Sequence, residues 1–220
     1  LQLLSGLGVS WLTYKIARSQ NVGRNLSVLA SCLFYLSFLV SWQSSSAYID
    51  LFRSFLESLA LYMFLTKKKT LGAILLGLSL GTKWLALFSV AIYGLVFGLS
   101  IIPISLLVAL PWFVTAYMFT GNPVFPLFSS ILQNGFQPLR GAIYNLLTVP
   151  VMFTFPFDDF ISPVTGLLFS FAAVSLLFSD VDQKKITYVG ILGGLGTLVL
   201  DPPSARFFLP YCHAVIISAL

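Results

Sequence analysis

Runs of apolar residues follow one another along the whole chain, and only short polar clusters separate them. Hydrophobic residues make up 58% of the 220 residues and charged residues only 9%, whereas a soluble domain carries about 25% charged residues. Charges this sparse cannot cover a water-facing surface. We therefore predict an integral multi-pass membrane protein, with all-α structure in a single transmembrane domain over residues 1–220.

The apolar runs predict a bundle of about nine membrane helices, because one span needs about 20 apolar residues. Their approximate ranges are 1–14, 26–42, 48–65, two helices within 70–98, 101–118, 163–179, 186–200 and 207–220. A turn-rich extracytoplasmic loop is predicted at 119–162. The net charge of +5 is gathered in basic clusters such as 15–24 and 67–69, which are expected at the cytoplasmic face and do not indicate nucleic-acid binding.

The segment 70–98 has two interpretations. They give opposite membrane orientations for every helix that follows this segment. A single helix would be too long and would hold Lys83 near its middle. Two short helices would turn at residues 81–84, with Lys83 at the outer interface and Trp84 beside it. We favour the broken hairpin because it keeps a cation out of the bilayer centre.

Asp50, Arg53 and Glu57 have i, i+3, i+7 spacing, which puts them on one helix face. Charged side chains inside a membrane are costly, so they neutralise each other or serve a function. For Arg53 and Glu57 the favoured interpretation is a buried ion pair. Asp50 lies at the outer start of its helix, where it caps the helix or takes part in catalysis, and the catalytic role is favoured.

Two basic residues are candidates for holding a phosphate. Lys83 follows a helix rich in small residues, where it would pair with Asp50, bind a phosphate as a point charge or extend to the interface. Arg206 opens the last helix after a rigid turn, where it would clamp a phosphate or pair with Asp201.

Other polar residues give weaker signals. Asp158 and Asp159 form an adjacent carboxylate pair, which more often solvates a loop than binds a metal. His213 lies within an apolar helix, which favours a packed side chain over a ligand. Whether a divalent metal takes part is left open, and the sequence has no Walker motif, glycine-rich nucleotide loop or catalytic triad.

Four short segments, taken in order, resemble those of the integral-membrane glycosyltransferases of the GT-C superfamily. They are SSAYID at 45–50, LGLSLGTK at 76–83, TGNPVFPL at 120–127 and RFFLP at 206–210. The branch that they resemble contains the bacterial and archaeal relatives of protein O-mannosyltransferase and of lipid A aminoarabinose transferase.

The resemblance implies a polyprenyl- or dolichyl-phosphate sugar as donor and an acceptor protein, lipid or glycan on the extracytoplasmic face. Asp50 would match the family's second outer acidic residue, and Lys83 and Arg206 would face the donor phosphate. Asn122 lies in a segment that the family places near the site. Supporting roles would fall to Arg53, Glu57 and Asp201.

The chain departs from the family pattern at its start. The family's principal catalytic acid lies in a first outer loop, after the first membrane helix. Leu1 begins within an apolar run, so we expect an internal piece of a longer protein that lacks this loop and is inactive alone.

The sequence therefore predicts a glycosyltransferase of the prokaryotic cytoplasmic membrane, or of the endoplasmic reticulum in a eukaryote. A multi-spanning transporter or lipid flippase is the first alternative, and Arg53 and Glu57, one to two turns deeper than Asp50, favour it. A non-catalytic membrane subunit is the second alternative.

Overall fold

A computed structural model describes residues 1–125, 171–198 and 205–220, and these residues form helices joined by short turns, with no strand among them. A further short helical stretch covers residues 171–175. The helices are α1 Gln2–Ser19, α2 Arg24–Leu36, α3 Phe38–Ser44, α4 Asp50–Leu65, α5 Lys69–Thr82, α6 Ala86–Phe97, α7 Ile101–Thr120, α8 Val181–Leu198 and α9 Ala205–Ala219.

The prediction of a single helix at 26–42 is wrong in one respect, because the structure has two helices there, α2 and α3. The axes of α2 and α3 differ by 62°, and Ser37 between them has an extended backbone with ψ of 137°. The Ser37 hydroxyl donates to the Phe34 carbonyl at 2.8 Å. A serine side chain that bonds to the local backbone competes with the helical hydrogen bonds, which is a known cause of such breaks.

Three predicted boundaries also move. Helix α8 begins at Val181 instead of near residue 186, so Lys184 and Lys185 lie within it. Helix α1 continues through Lys15 and Arg18 to Ser19 instead of ending near residue 14. Helix α7 continues to Thr120, where Gly121 ends it in the left-handed conformation (φ 72°) that a glycine adopts without strain. The rest of the predicted 119–162 loop beyond residue 125, and the first part of the 163–179 helix, lie outside the described residues.

The predicted break in segment 70–98 is confirmed. Helix α5 ends at Thr82 and α6 begins at Ala86. Lys83 has an extended backbone (φ −158°, ψ 128°), so its side chain leaves the helical path and reaches another element.

Hydrogen bonds between helices fix which helix ends lie together. Gln2, at the start of α1, accepts a hydrogen bond from the Phe52 amide near the start of α4 (3.2 Å), so α1 and α4 run in the same direction. At the other end, the Gln183 amide of α8 donates to the Gln20 carbonyl that follows α1 (3.4 Å).

The bundle therefore has two chemically different ends. The "Asp50 end" contains Asp50, Lys83 and Arg206, which lie close together. The "basic end" is formed by the loops after α1 and α4 and by the start of α8, and carries Arg18, Arg24, Lys67, Lys68, Lys69, Lys184 and Lys185. This separation of charge agrees with the predicted grouping of the basic loops.

The bundle buries a few charged side chains, and many large apolar side chains are exposed on its outside. Arg53 and Glu57 are only 2% and 0% exposed, whereas Leu107, Met118 and Phe119 are 69%, 77% and 85% exposed. A water-soluble domain normally buries its large apolar side chains and leaves its charges outside.

Helix length and composition identify one candidate membrane span among the described residues. Helix α7 has 20 residues with a mean hydropathy of 1.9, and only 17% of its apolar window is buried. The bent pair of α2 and α3 would be a second candidate span if the two helices cross the membrane together. The nine-span arrangement is therefore not established by these criteria, since several apolar helices are short or carry charges.

Candidate functional site

Asp50 and Lys83 form an ion pair at the Asp50 end. The Lys83 Nζ lies 2.6 Å from the Asp50 Oδ1, and the two side chains are 23% and 2% exposed. Asp50 is the first residue of α4, where a carboxylate stabilises the positive end of the helix dipole. Lys83 follows α5 directly, so the packing of α4 against α5 brings the pair together, and pairing with Asp50 is one of the three alternatives that the sequence left open for Lys83.

Arg206 reaches the same place from the start of α9. Its guanidinium lies 4.7 Å from the ring centre of Tyr48 and 6.0 Å from that of Phe207. The Lys83 ammonium lies 5.0 Å from the same Phe207 ring. Two cations, one directly after α5 and one at the start of α9, thus lie near the same aromatic ring. An aromatic ring attracts a cation that lies within about 6 Å of its centre.

Sequence reasoning found the three charged residues of this site but missed its two aromatic residues. Tyr48 and Phe207 each stand one or two residues from a predicted site residue. Aromatic residues are abundant in this chain, so their proximity in sequence to a charge was not a distinguishing signal.

Arg53 and Glu57 form a second, buried ion pair deeper in the bundle. The Arg53 Nε donates to the Glu57 Oε1 at 2.6 Å. The Ser79 hydroxyl donates to the same oxygen (2.9 Å), and the Ser89 hydroxyl donates to Oε2 (2.6 Å). The predicted pairing of Arg53 with Glu57 is confirmed, and Asp50 takes a different partner.

The buried pair extends into a small network with α6 and α9. Arg53 Nη2 lies 3.2 Å from the Ser89 hydroxyl, which is also 2.6 Å from the Tyr211 hydroxyl. Each oxygen of Glu57 thus has a donor, as a buried carboxylate requires. Ser79, Ser89 and Tyr211 were not predicted, because nothing in their local sequence indicates which helix they face.

A cavity of about 380 Å³ also adjoins Lys83. It lies between α5, the α5–α6 turn and α7, and aromatic side chains dominate its wall; they are Trp84, Trp112, Phe113 and Phe125. This volume falls within the range of small-molecule sites, which are mostly apolar with a few polar groups. A ligand in this cavity would have one cation, Lys83, at its side.

The predicted supporting residues are only partly described. Asn122 shapes the turn after α7, where its side-chain oxygen accepts a hydrogen bond from the Val124 amide (3.1 Å). Asp201, Asp158 and Asp159 lie outside the described residues, so their predicted roles remain predictions. Among the residues that the structure describes, no three His, Cys, Asp or Glu side chains are grouped closely enough to hold a metal ion.

His213 is packed inside the bundle, as its apolar surroundings predicted. Its side chain is fully buried, and Nδ1 lies 3.3 Å from the Ser58 hydroxyl. Its Nε2 has no hydrogen-bond partner within the described part of the chain. This geometry is typical of a core histidine that joins two helices.

Comparison with known proteins gives no family model, no curated protein and no solved structure that matches this chain. The geometry and the short sequence segments are therefore the basis for any assignment of function.

Proposed function

We propose that this chain is part of an integral multi-pass membrane protein, in the cytoplasmic membrane of a prokaryote or the endoplasmic reticulum of a eukaryote. Two observations support it. The outer surface of the bundle is rich in large exposed apolar side chains, such as Phe119 and Leu107, which lipid would cover. The basic end carries the cationic loops, as expected for a cytoplasmic face.

Within this protein, we propose a glycosyltransferase that moves a sugar from a polyprenyl-phosphate donor to an acceptor on the extracytoplasmic side. The observation that carries the proposal is the convergence of Lys83 and Arg206 on the Phe207 ring beside a cavity. Lys83 and Arg206 come from different parts of the chain and meet at this end of the bundle. Cations of these two types are the side chains that bind phosphate groups, and a phosphate group at the membrane edge suits this position.

The chemistry follows from where negative charge develops. When the bond between the sugar and the donor phosphate breaks, the phosphate leaves with additional negative charge, and fixed cations stabilise that transition state. Lys83 serves as a point charge, and the planar guanidinium of Arg206 suits two-pronged contact with phosphate oxygens. The lipid tail stays among the exposed apolar side chains.

The geometry supports a positioning role for Asp50. Its side chain is 2% exposed and in contact with Lys83. An acceptor hydroxyl therefore does not reach the Asp50 carboxylate while this ion pair is intact. Asp50 then orients the ammonium toward the donor. The base that accepts the proton of the acceptor is then a residue other than Asp50.

Binding and transfer assays with the full-length protein test this proposal. Protein in nanodiscs is titrated with polyprenyl phosphate and with polyprenol, which lacks the phosphate. We expect Lys83→Gln or Arg206→Gln to weaken phosphate-dependent binding by about tenfold or more, because each removes a charged contact to the phosphate. Membranes that contain the protein are also supplied with radiolabelled polyprenyl-phosphate sugars, and transfer to the acceptors present is measured.

The matched control is Lys68→Gln, which removes one exposed lysine at the basic end. It should leave both assays unchanged. Since Lys83→Gln alone strands a buried carboxylate, the double variant Asp50→Asn/Lys83→Gln separates lost binding from lost folding. Equal binding of polyprenol and polyprenyl phosphate by the unaltered protein, with no sugar transfer, would contradict the proposal.

The main alternative is a transporter or lipid flippase, which needs polar residues along a path through the bilayer. Arg53 and Glu57 lie deep enough to belong to such a path. However, they are paired with each other and with serines of neighbouring helices, and the cavity beside Arg53 has a volume of only about 10 Å³. A closed network of this kind favours a structural role for the pair.

A further inference from the structure

A second cluster of cations lies at the basic end, far from the proposed glycosyl-transfer site. Lys67, Lys69 and Lys185, with one carboxylate, Asp182, line a cavity of about 350 Å³. Lys67 lies in the turn between α4 and α5, and Lys69 is the first residue of α5. Asp50 and Lys83 lie at the opposite ends of these two helices. At about 1.5 Å of rise per residue, a helix the length of α4 puts roughly 24 Å between the two clusters.

The backbone of the α4–α5 turn presents the lysines to this cavity. Lys67 adopts a left-handed conformation with φ of 65°, a conformation that is uncommon for a residue other than glycine. The turn is held by hydrogen bonds from the Lys67 amide to the Phe64 carbonyl (3.1 Å) and from the Lys68 amide to the Met63 carbonyl (2.8 Å).

The cations outnumber their carboxylate partner in the cavity. Lys185 is paired with Asp182, at 2.6 Å between Nζ and Oδ1. Lys67 and Lys69 add two further positive charges, and Lys69 extends over Gly98 at the end of α6. Among the described residues that line this cleft, the excess of two lysines suits an anion with two or more oxygens, such as a phosphate.

The remainder of the cavity is apolar. Its wall includes Phe64, Leu65, Val96 and Phe97, and the rings of Phe64 and Phe97 stack at 5.0 Å between centroids. A free inorganic anion gains nothing from such a wall. A phospholipid would use both parts of the cavity. Its phosphate would contact the lysines, and its acyl chains would contact the apolar residues.

We propose that this cleft binds the phosphate of an anionic phospholipid at the cytoplasmic face of the membrane. The inference rests on the proposed membrane location but not on the glycosyl-transfer chemistry. Basic clefts between membrane helices on the cytoplasmic side are suited to anionic lipid head groups. Such a lipid would join the α4–α5 turn, the end of α6 and the start of α8.

Native mass spectrometry of the full-length protein in detergent tests the site, with phosphatidylglycerol and phosphatidylcholine added at equal concentration. We expect preferential retention of phosphatidylglycerol. The double variant Lys67→Gln/Lys69→Gln should reduce that retention by roughly tenfold or more, because each lysine near a lipid head group contributes appreciably to binding.

The control is Lys15→Gln/Lys68→Gln, which removes the same charge from exposed lysines at the same end that do not line the cleft. It should retain the lipid. An equal loss in both double variants, or no preference for phosphatidylglycerol in the unaltered protein, would overturn the proposal. Equal competition by inorganic phosphate would overturn the assignment to a lipid.

The two proposals fail separately. If Lys83→Gln abolishes binding of polyprenyl phosphate while Lys67→Gln/Lys69→Gln leaves phosphatidylglycerol bound, only the lipid site is refuted. The opposite pattern refutes only the donor site.

Discussion

Asp50 and Lys83 illustrate how the solvent exposure of an ion pair determines its contribution to the free energy of unfolding. The Asp50 carboxylate is almost inaccessible, so loss of Lys83 would leave a buried charge without its cation. The Asp182–Lys185 pair has the same 2.6 Å separation, but its side chains are 67% and 35% exposed. The Asp50–Lys83 and Asp182–Lys185 pairs have equal length and different exposure, which makes a matched comparison.

We expect Lys83→Met to lower the free energy of unfolding by about 1–3 kcal/mol, because breaking a buried pair strands the remaining charge. This value is reduced from that of a fully buried pair because Lys83 is 23% exposed. Lys185→Met should cost less than about 0.5 kcal/mol, since water already solvates that pair. Thermal unfolding of the full-length protein in detergent measures both variants.

The double variant Asp50→Asn/Lys83→Met provides the internal check. It removes both charges, so it should be more stable than Lys83→Met alone. If the Lys83 and Lys185 variants shift the unfolding temperature equally, burial does not determine the strength of the Asp50–Lys83 pair.

At the scale of elements, the close approach of α5 and α7 depends on glycines of α5. A Cβ at Gly77 would lie 2.6 Å from the Ser105 carbonyl oxygen and 2.6 Å from the Val108 Cβ. A Cβ at Gly81 would meet the Trp112 ring at 2.6 Å. The first obstacle includes backbone, which cannot move without moving α7. Small residues at such positions allow membrane helices to pack closely.

We expect Gly77→Ala to destabilise the protein by about 1–3 kcal/mol, as overpacking between rigid helices does. The control is Gly196→Ala in α8, where the added Cβ lies within 4 Å of none of the residues that the structure describes. That substitution should be neutral or stabilise the protein by up to about 1 kcal/mol through helix propensity. Thermal unfolding in detergent compares the two, and a Gly77→Ala variant as stable as Gly196→Ala would show that α5 and α7 are not in tight contact.

On the scale of the whole molecule, the two chemically different ends predict a fixed orientation in a membrane. Single cysteines are introduced into the full-length protein without its own cysteines, at Ser45 and Asn122 near the Asp50 end and at Thr66 and Asp180 near the basic end. We expect a membrane-impermeant thiol reagent added outside intact cells to label the first two only. The loops with many lysines and arginines should face the cytoplasm.

Permeabilised cells provide the control, because all four cysteines should then react. Labelling of Ser45→Cys and Thr66→Cys alike in intact cells would mean that α4 does not cross the membrane. The proposed membrane arrangement would then fail, and the glycosyltransferase and lipid-site proposals would fail with it.

The sequence by itself determined the helical class, the break at Lys83 and the pairing of Arg53 with Glu57. Apolar runs with few charges favour helices, because helices satisfy their backbone hydrogen bonds internally. Arg53 and Glu57 are one helical turn apart, so their contact is local. Each of these features depends on residues that are close together in the sequence.

Only the tertiary structure decided which distant residues share a site. Asp50 pairs with Lys83 across two helices, and Arg206 meets Lys83 over Phe207, although the sequence separates them widely. The break at Ser37 was also missed, because a serine within an apolar run fits a straight helix equally well. These outcomes depend on how helix faces pack against each other, and the spacing of residues within one helix does not specify its neighbour.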